Sequence, residues 1–111
     1  MAQELAEGDV YNRILSFVVR ETNTRRSLTE QTDIARDLGV DGDDAVEFLQ
    51  RFQSEFGVDM SGFRFDQYFG GEGFSLIGFL RGLSSAARKK PLTIKMLCDV
   101  VARGRWTAGL P

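Results

Sequence analysis

Within residues 37–56 the apolar side chains return at one helical interval for three turns, so this stretch must form a helix that buries a single face. Ala45, Phe48, Leu49, Phe52 and Phe56 stand at i, i+3, i+4, i+7 and i+11 and make that face. Asp43, Asp44, Glu47, Gln50, Arg51, Ser54 and Glu55 occupy the opposite arc, with Val46 at the boundary beside Leu49. Asp41 is the expected N-cap, its carboxylate accepting a free amide of the first turn, with Asp44 reaching back as a short-armed capping box. Asp43 and Asp44 suit the positive end of the helix dipole, and Gly57 is the expected left-handed stop. Glu47 and Arg51 are in i,i+4 register, a pairing worth ~0.2 to 0.5 kcal/mol on an exposed face. The acidic arc is therefore either a solvated face or a face that docks a partner.

The run Asp37-Leu38-Gly39-Val40-Asp41-Gly42-Asp43-Asp44-Ala45-Val46-Glu47-Phe48 resembles the Asp-Leu-Gly-x-Asp-Ser-Leu-Asp-x-Val-Glu-Leu signature of acyl carrier proteins. The likeness continues through Glu55-Phe56-Gly57-Val58, and residues 93–101 resemble the carriers' last helix, which also opens on Thr. The chain looks like a divergent carrier-like bacterial family of unknown function. That resemblance implies one all-α domain over residues 1–111, a small acyl-carrier-like helical bundle. Ordinary carriers are shorter between their third and fourth helices, so residues 70–91 read as an insertion before the last helix. In ordinary carriers the Ser after the second Asp holds 4'-phosphopantetheine as a phosphodiester, and here that position is Gly42. Glycine has no side-chain oxygen, so that linkage cannot form there and no cofactor is expected. The next position departs too, with Asp43 in place of the carriers' Leu. Ser54 and Ser61, the next hydroxyls after it in sequence, lie at or beyond the far end of the helix.

A chain of 111 residues with 42% hydrophobic content can bury a core without staples. A single Cys98 gives no disulfide framework and fits a reducing compartment. Residues 2–7 are polar and acidic rather than basic-then-apolar, and no apolar run reaches membrane-spanning length, so the expectation is a cytoplasmic protein without a membrane span. The net charge of -2 does not argue for nucleic acid. Its distribution is uneven: residues 29–72 hold 11 acids against three bases, and residues 73–111 hold one acid against seven bases. Such an asymmetry implies attraction within the fold or between copies, or a basic surface for an anionic partner.

Helical periodicity begins with Val10, Ile14, Phe17 and Val18, predicting a first helix over residues 9–22 with Asp9 as a cap, ending in the polar residues 22–26. Residues 29–40 read as a connection anchored by Leu28, Ile34 and Leu38, with a short helical turn over 33–38 before Gly39. An EF-hand comparison fails, because Gly39, Ala45 and Phe48 stand where that loop needs oxygen ligands, and no metal site is expected. Phe63 and Phe65 alternate as extended backbone, and Asp66 is placed to cap one turn carrying Tyr68 and Phe69. These aromatics have only Arg64 among Asp59, Asp66 and Glu72, so they read as core rather than as a nucleotide-stacking surface. Gly70-Gly71-Glu72-Gly73 lacks the Lys-Ser/Thr of a phosphate loop. Residues 70–91 either pack over the core or offer an apolar patch to a partner. Thr93 is the expected cap of a last helix with Ile94, Leu97, Cys98 and Val101 on its buried face, Gly104 as its stop, Trp106 folded back as a lid, and residues 107–111 frayed.

With no His and one Cys, imidazole acid–base chemistry and thiolate clusters are absent, and the chain does not read as an enzyme. The leading expectation is a non-catalytic interaction module that docks a basic patch of a partner protein. By resemblance the residues carrying that contact are Asp41, Asp43, Asp44, Val46 and Glu47. Two alternatives remain open: a group carrier modified at another position, and a regulator using the basic region 81–105 on an anionic partner.

Overall fold

The computed structural model describes residues 7–69 and 90–107. Among them are four helices and no strand: α1 (Glu7–Thr22), α2 (Gly42–Phe56), α3 (Phe65–Tyr68) and α4 (Ile94–Arg103). The expected small all-α architecture is thus what forms. Residues 70–89 of the expected insertion over 70–91, and residues 108–111 of the expected tail over 107–111, lie outside the described residues.

Helix α1 begins at Glu7, two residues before the expected start, so Asp9 sits inside the first turns instead of capping them. Ile14, Phe17 and Val18 are fully buried, and the helix packs along α4. Its end is made by side-chain chemistry: Thr22 Oγ1 donates to the Val18 carbonyl at 2.7 Å, and Asn23 takes the left-handed conformation at φ 55°. Asparagine tolerates that conformation better than most residues, so it can close a helix where glycine is the usual choice.

Helix α2 buries Ala45, Phe48, Leu49 and Phe52, while Phe56 is half-buried. Gly57 closes it at φ 62°, its amide donating to the Gln53 carbonyl at 2.8 Å. The N-terminus departs from expectation. Asp41 holds the cap position, but its side chain makes no capping bond, and the reciprocal bond expected from Asp44 does not form. A side-chain cap requires right-handed backbone from the first helical residue onward. Gly42 fills that position at φ 55°, so the geometry is broken at the point where the cap would close.

Phe17 of α1 meets three rings of α2, with centroids 5.1 Å from Phe48, 5.9 Å from Phe52 and 5.6 Å from Phe56. A second aromatic group lies beyond α2. Phe63 stacks on Tyr68 at 4.8 Å, and Trp106 meets both edge-on, at 4.8 and 5.4 Å. Trp106 is buried, as expected of a lid. The extended reading of residues 63–65 gives way at Phe65, which starts α3, and Arg64 rather than Asp66 occupies its cap position. Asp66 lies in the first turn instead.

Thr93 caps α4, its Oγ1 accepting from the Met96 amide at 3.2 Å while the Met96 Sδ accepts from the Thr93 amide at 3.5 Å. A thioether thus plays the part usually taken by Glu or Gln. The buried face is Ile94, Leu97 and Val100. Cys98 and Val101, expected on that face, are only half-buried, because the helix turns its i, i+3, i+6 row rather than its i, i+4, i+7 row toward α1. Burial still pushes the Cys98 thiol up to about 11, with the Asp99 and Glu30 carboxylates adding to the effect, so the thiol is protonated at neutral pH and reads as packing.

Backbone stitches hold both ends of α4. Before it, the Ile34 amide donates to the Leu92 carbonyl at 2.9 Å, and the amides of Ile94 and Lys95 donate to the carbonyls of Thr32 and Glu30 at 3.1 and 2.9 Å. After it, the Asp59 amide donates to the Gly104 carbonyl at 3.0 Å and the Trp106 amide donates back to the Asp59 carbonyl at 2.9 Å. The turn over residues 33–38 forms as expected, and the buried Asp33 carboxylate organises it by accepting from the amides of Ala35 and Arg36. Among the described residues no buried side-chain nitrogen or oxygen lacks a partner, and no helix is long and apolar enough to cross a membrane.

Candidate functional site: the acidic face of α2 and the notch beside it

The residues singled out on α2 are brought to one exposed surface. Asp41, Asp43, Asp44, Val46 and Glu47 are all exposed, and Val46 keeps 41% of its surface open to solvent. Asp43 and Asp44 lie in the first turn, where the free amides of the helix favour negative charge. Among the described residues neither has an ion-pair partner. Gly42, at the position of the carriers' Ser, is the first residue of the helix and borders this surface.

The lower half of the same face is partly neutralised from α1. Arg51 Nη1 donates to Glu21 at 2.9 Å and Arg20 pairs with Glu55, so the two helices exchange charges across their seam. Glu21 is the centre of this network, its side chain 11% exposed and 3.6 Å from Arg20 as well. The expected Glu47–Arg51 pair forms only at 3.9 Å, because the guanidinium is drawn to Glu21. The hydrogen bond to Glu21, and then the charges of Glu21 and Glu47, hold Arg51 above its ordinary pKa. Both arginines are more than half exposed, so the network orients side chains more than it stabilises the fold.

Where the end of α1, the loop over residues 38–40 and the upper part of α2 meet, they enclose a notch of about 180 Å³. Leu38, Val40 and Phe48 supply its apolar lining, and Glu21, Asp44, Glu47 and Arg51 its charged groups. Sequence reading placed Asp44 and Glu47 here and missed Glu21, Thr22 and the loop, since the notch draws on three segments and has no local period. The available signal was charge order: Arg20-Glu21 at the end of one helix complements Arg51 and Glu55 on the next.

Among the described residues no group of three or more Asp, Glu, His or Cys side chains is arranged to hold a metal ion. The basic residues Lys90, Arg103 and Arg105 are exposed near α4, and Asp59 is held below the usual carboxylate range chiefly by the Ser61 amide, with Arg105 adding to the effect.

The sequence pattern of a family described as "Protein of unknown function (DUF1493)" matches residues 8–108. The chain is also similar to the acyl carrier protein of Lactobacillus acidophilus, 30% identical over 57 residues that cover 50% of this chain and 71% of the carrier. No solved structure gives a significant match.

Proposed function

The chain belongs to the DUF1493 family of proteins of unknown function, and from that footing we propose that it is a non-catalytic, acyl-carrier-like interaction module docking a partner protein through the acidic face of α2. The observation that carries this reading is the exposed face Asp41, Asp43, Asp44, Val46 and Glu47 gathered around a glycine at the head of the helix. Four carboxylates on one helix face attract a basic surface, raise its encounter rate and set its orientation. Val46 places an exposed apolar side chain among them. Gly42 provides no oxygen for a phosphodiester, so the docking surface works without a prosthetic arm.

Affinity capture from the native host, using the wild-type chain and an Asp44→Lys/Glu47→Lys variant, tests the reading. A partner held by the wild type and lost by the variant, with an unchanged circular dichroism spectrum, is the expected result. Equal capture by both removes this face from the function. Intact mass of the native protein separates the main alternative: a covalent adduct on any residue makes the chain a group carrier and overturns the reading.

A further inference from the structure

Asp41-Gly42, the one Asp-Gly pair in the sequence, joins two groups that the rest of the fold leaves unoccupied. Asp41 is exposed, in extended backbone at φ -159° and ψ 169°, and its carboxylate makes no capping hydrogen bond. The Gly42 amide, the first of the helix, donates to no acceptor among the described residues. By contrast the Asp59 carboxylate accepts from the Ser61 amide at 2.8 Å, that of Asp37 from the Asp33 amide at 2.8 Å, and that of Asp33 from the amides of Ala35 and Arg36. Glycine puts no Cβ beside its own nitrogen, so nothing screens that nitrogen from the preceding carboxyl carbon, and its backbone turns freely between positive and negative φ. One backbone bond stands against their approach. The Asp41 carbonyl accepts from the Ala45 amide at 3.2 Å, and turning ψ of Asp41 to bring carboxyl and amide together breaks that bond. It is the end bond of α2, where helices open most readily.

We propose that Asp41-Gly42 is a self-modification site, where the chain cyclises to a succinimide and reopens to isoaspartate. The Gly42 nitrogen bonds to Cγ of Asp41. Its proton, one carboxyl oxygen and a second proton, from the carboxyl group or solvent, leave as water. No oxidant, reductant or cofactor takes part. Water then adds back to the ring. Attack at Cγ restores aspartate, whereas attack at the α-carbonyl breaks the original peptide bond and leaves position 41 joined to Gly42 through its β-carboxyl, with the α-carboxylate as the side group. The ring removes one negative charge from the head of α2, and the isoaspartate adds one carbon to the main chain just where the helix starts. This chemistry needs no docking partner, so it stands or falls apart from the function proposed above.

The test incubates the full chain at neutral pH and body temperature beside a peptide of residues 37–47, which is too short to hold a helix and serves as the unprotected reference. Isoaspartate is read as methyl groups taken up from S-adenosylmethionine through an isoaspartate-specific methyltransferase, and is placed in the chain by electron-transfer fragmentation. It is expected at position 41 of the folded chain, forming within about tenfold of the peptide's rate because a fraying helix end gives little protection. Asp41→Glu keeps the charge but needs a six-membered ring to close, and it is expected to lose the signal. A folded chain slower than that margin, or a signal that persists in Asp41→Glu, overturns the proposal.

Discussion

Gly42 differs from a simple loss of a hydroxyl. Its φ of 55° lies where an L side chain is strained, so the backbone at the head of α2 has settled into a shape that glycine alone adopts freely. Putting Ser at this position supplies the missing oxygen and asks the helix to start in a conformation the new residue resists. Gly42→Ser is expected to lower unfolding stability by about 1 kcal/mol, read from the urea midpoint at unchanged slope. An unchanged or raised midpoint contradicts the left-handed start. The same residue explains why the Asp41 cap, legible in sequence as residue type and spacing, does not form: the motif was present, but its geometry depends on a neighbour's backbone sign that sequence does not display.

At the scale of the element, what the pattern of residues revealed was the existence of the helices and their stops. The Ala45-Phe48-Leu49-Phe52 stripe, Gly57 and Gly104 all behave as their spacing implied, because helix period and left-handed stops are local properties. The N-cap of α4 was legible for the same reason. Thr93→Ala removes the acceptor of the Met96 amide and is expected to cost about 1 kcal/mol in chemical denaturation, with Thr93→Ser retaining most of the stability. The orientation of α4 was less legible. Ile94 and Leu97 fit two adjacent rows, and only packing on α1 selects Val100 over Val101. Likewise the cap of α3 falls to Arg64, since a single turn is placed by the rings around it rather than by its own signals.

For the whole molecule, the decisive contacts are those far apart in sequence. The pairing of residues 30–34 with 92–95 and of Asp59 with residues 104–106 has no periodic signature, so sequence reading gave each segment a local role, an anchored connection, a helix cap or a folded-back lid, without the backbone bonds that join them. The candidate site divides in the same way: its acidic edge belongs to one helix and was legible, while Glu21, Thr22 and the loop over 38–40 reach it only through the fold.

Those stitches also bear on the residues between α3 and α4. The Lys90 amide donates to the Gln67 carbonyl at 2.9 Å, and Lys90 Nζ donates to Gln67 Oε1 at 3.1 Å, so residues 67 and 90 are held side by side. Gln67 and Lys90 thus form a clasp between the end of α3 and the approach to α4. Lys90→Ala removes the side-chain half of this exposed clasp and keeps the backbone half, so it is expected to shift the urea midpoint by less than about 1 kcal/mol in stability and to leave the α-helical circular dichroism in place. A larger loss would show that the two ends are held by the lysine head group; a small one makes the main chain itself the latch, a fastening that any residue but proline at position 90 can keep.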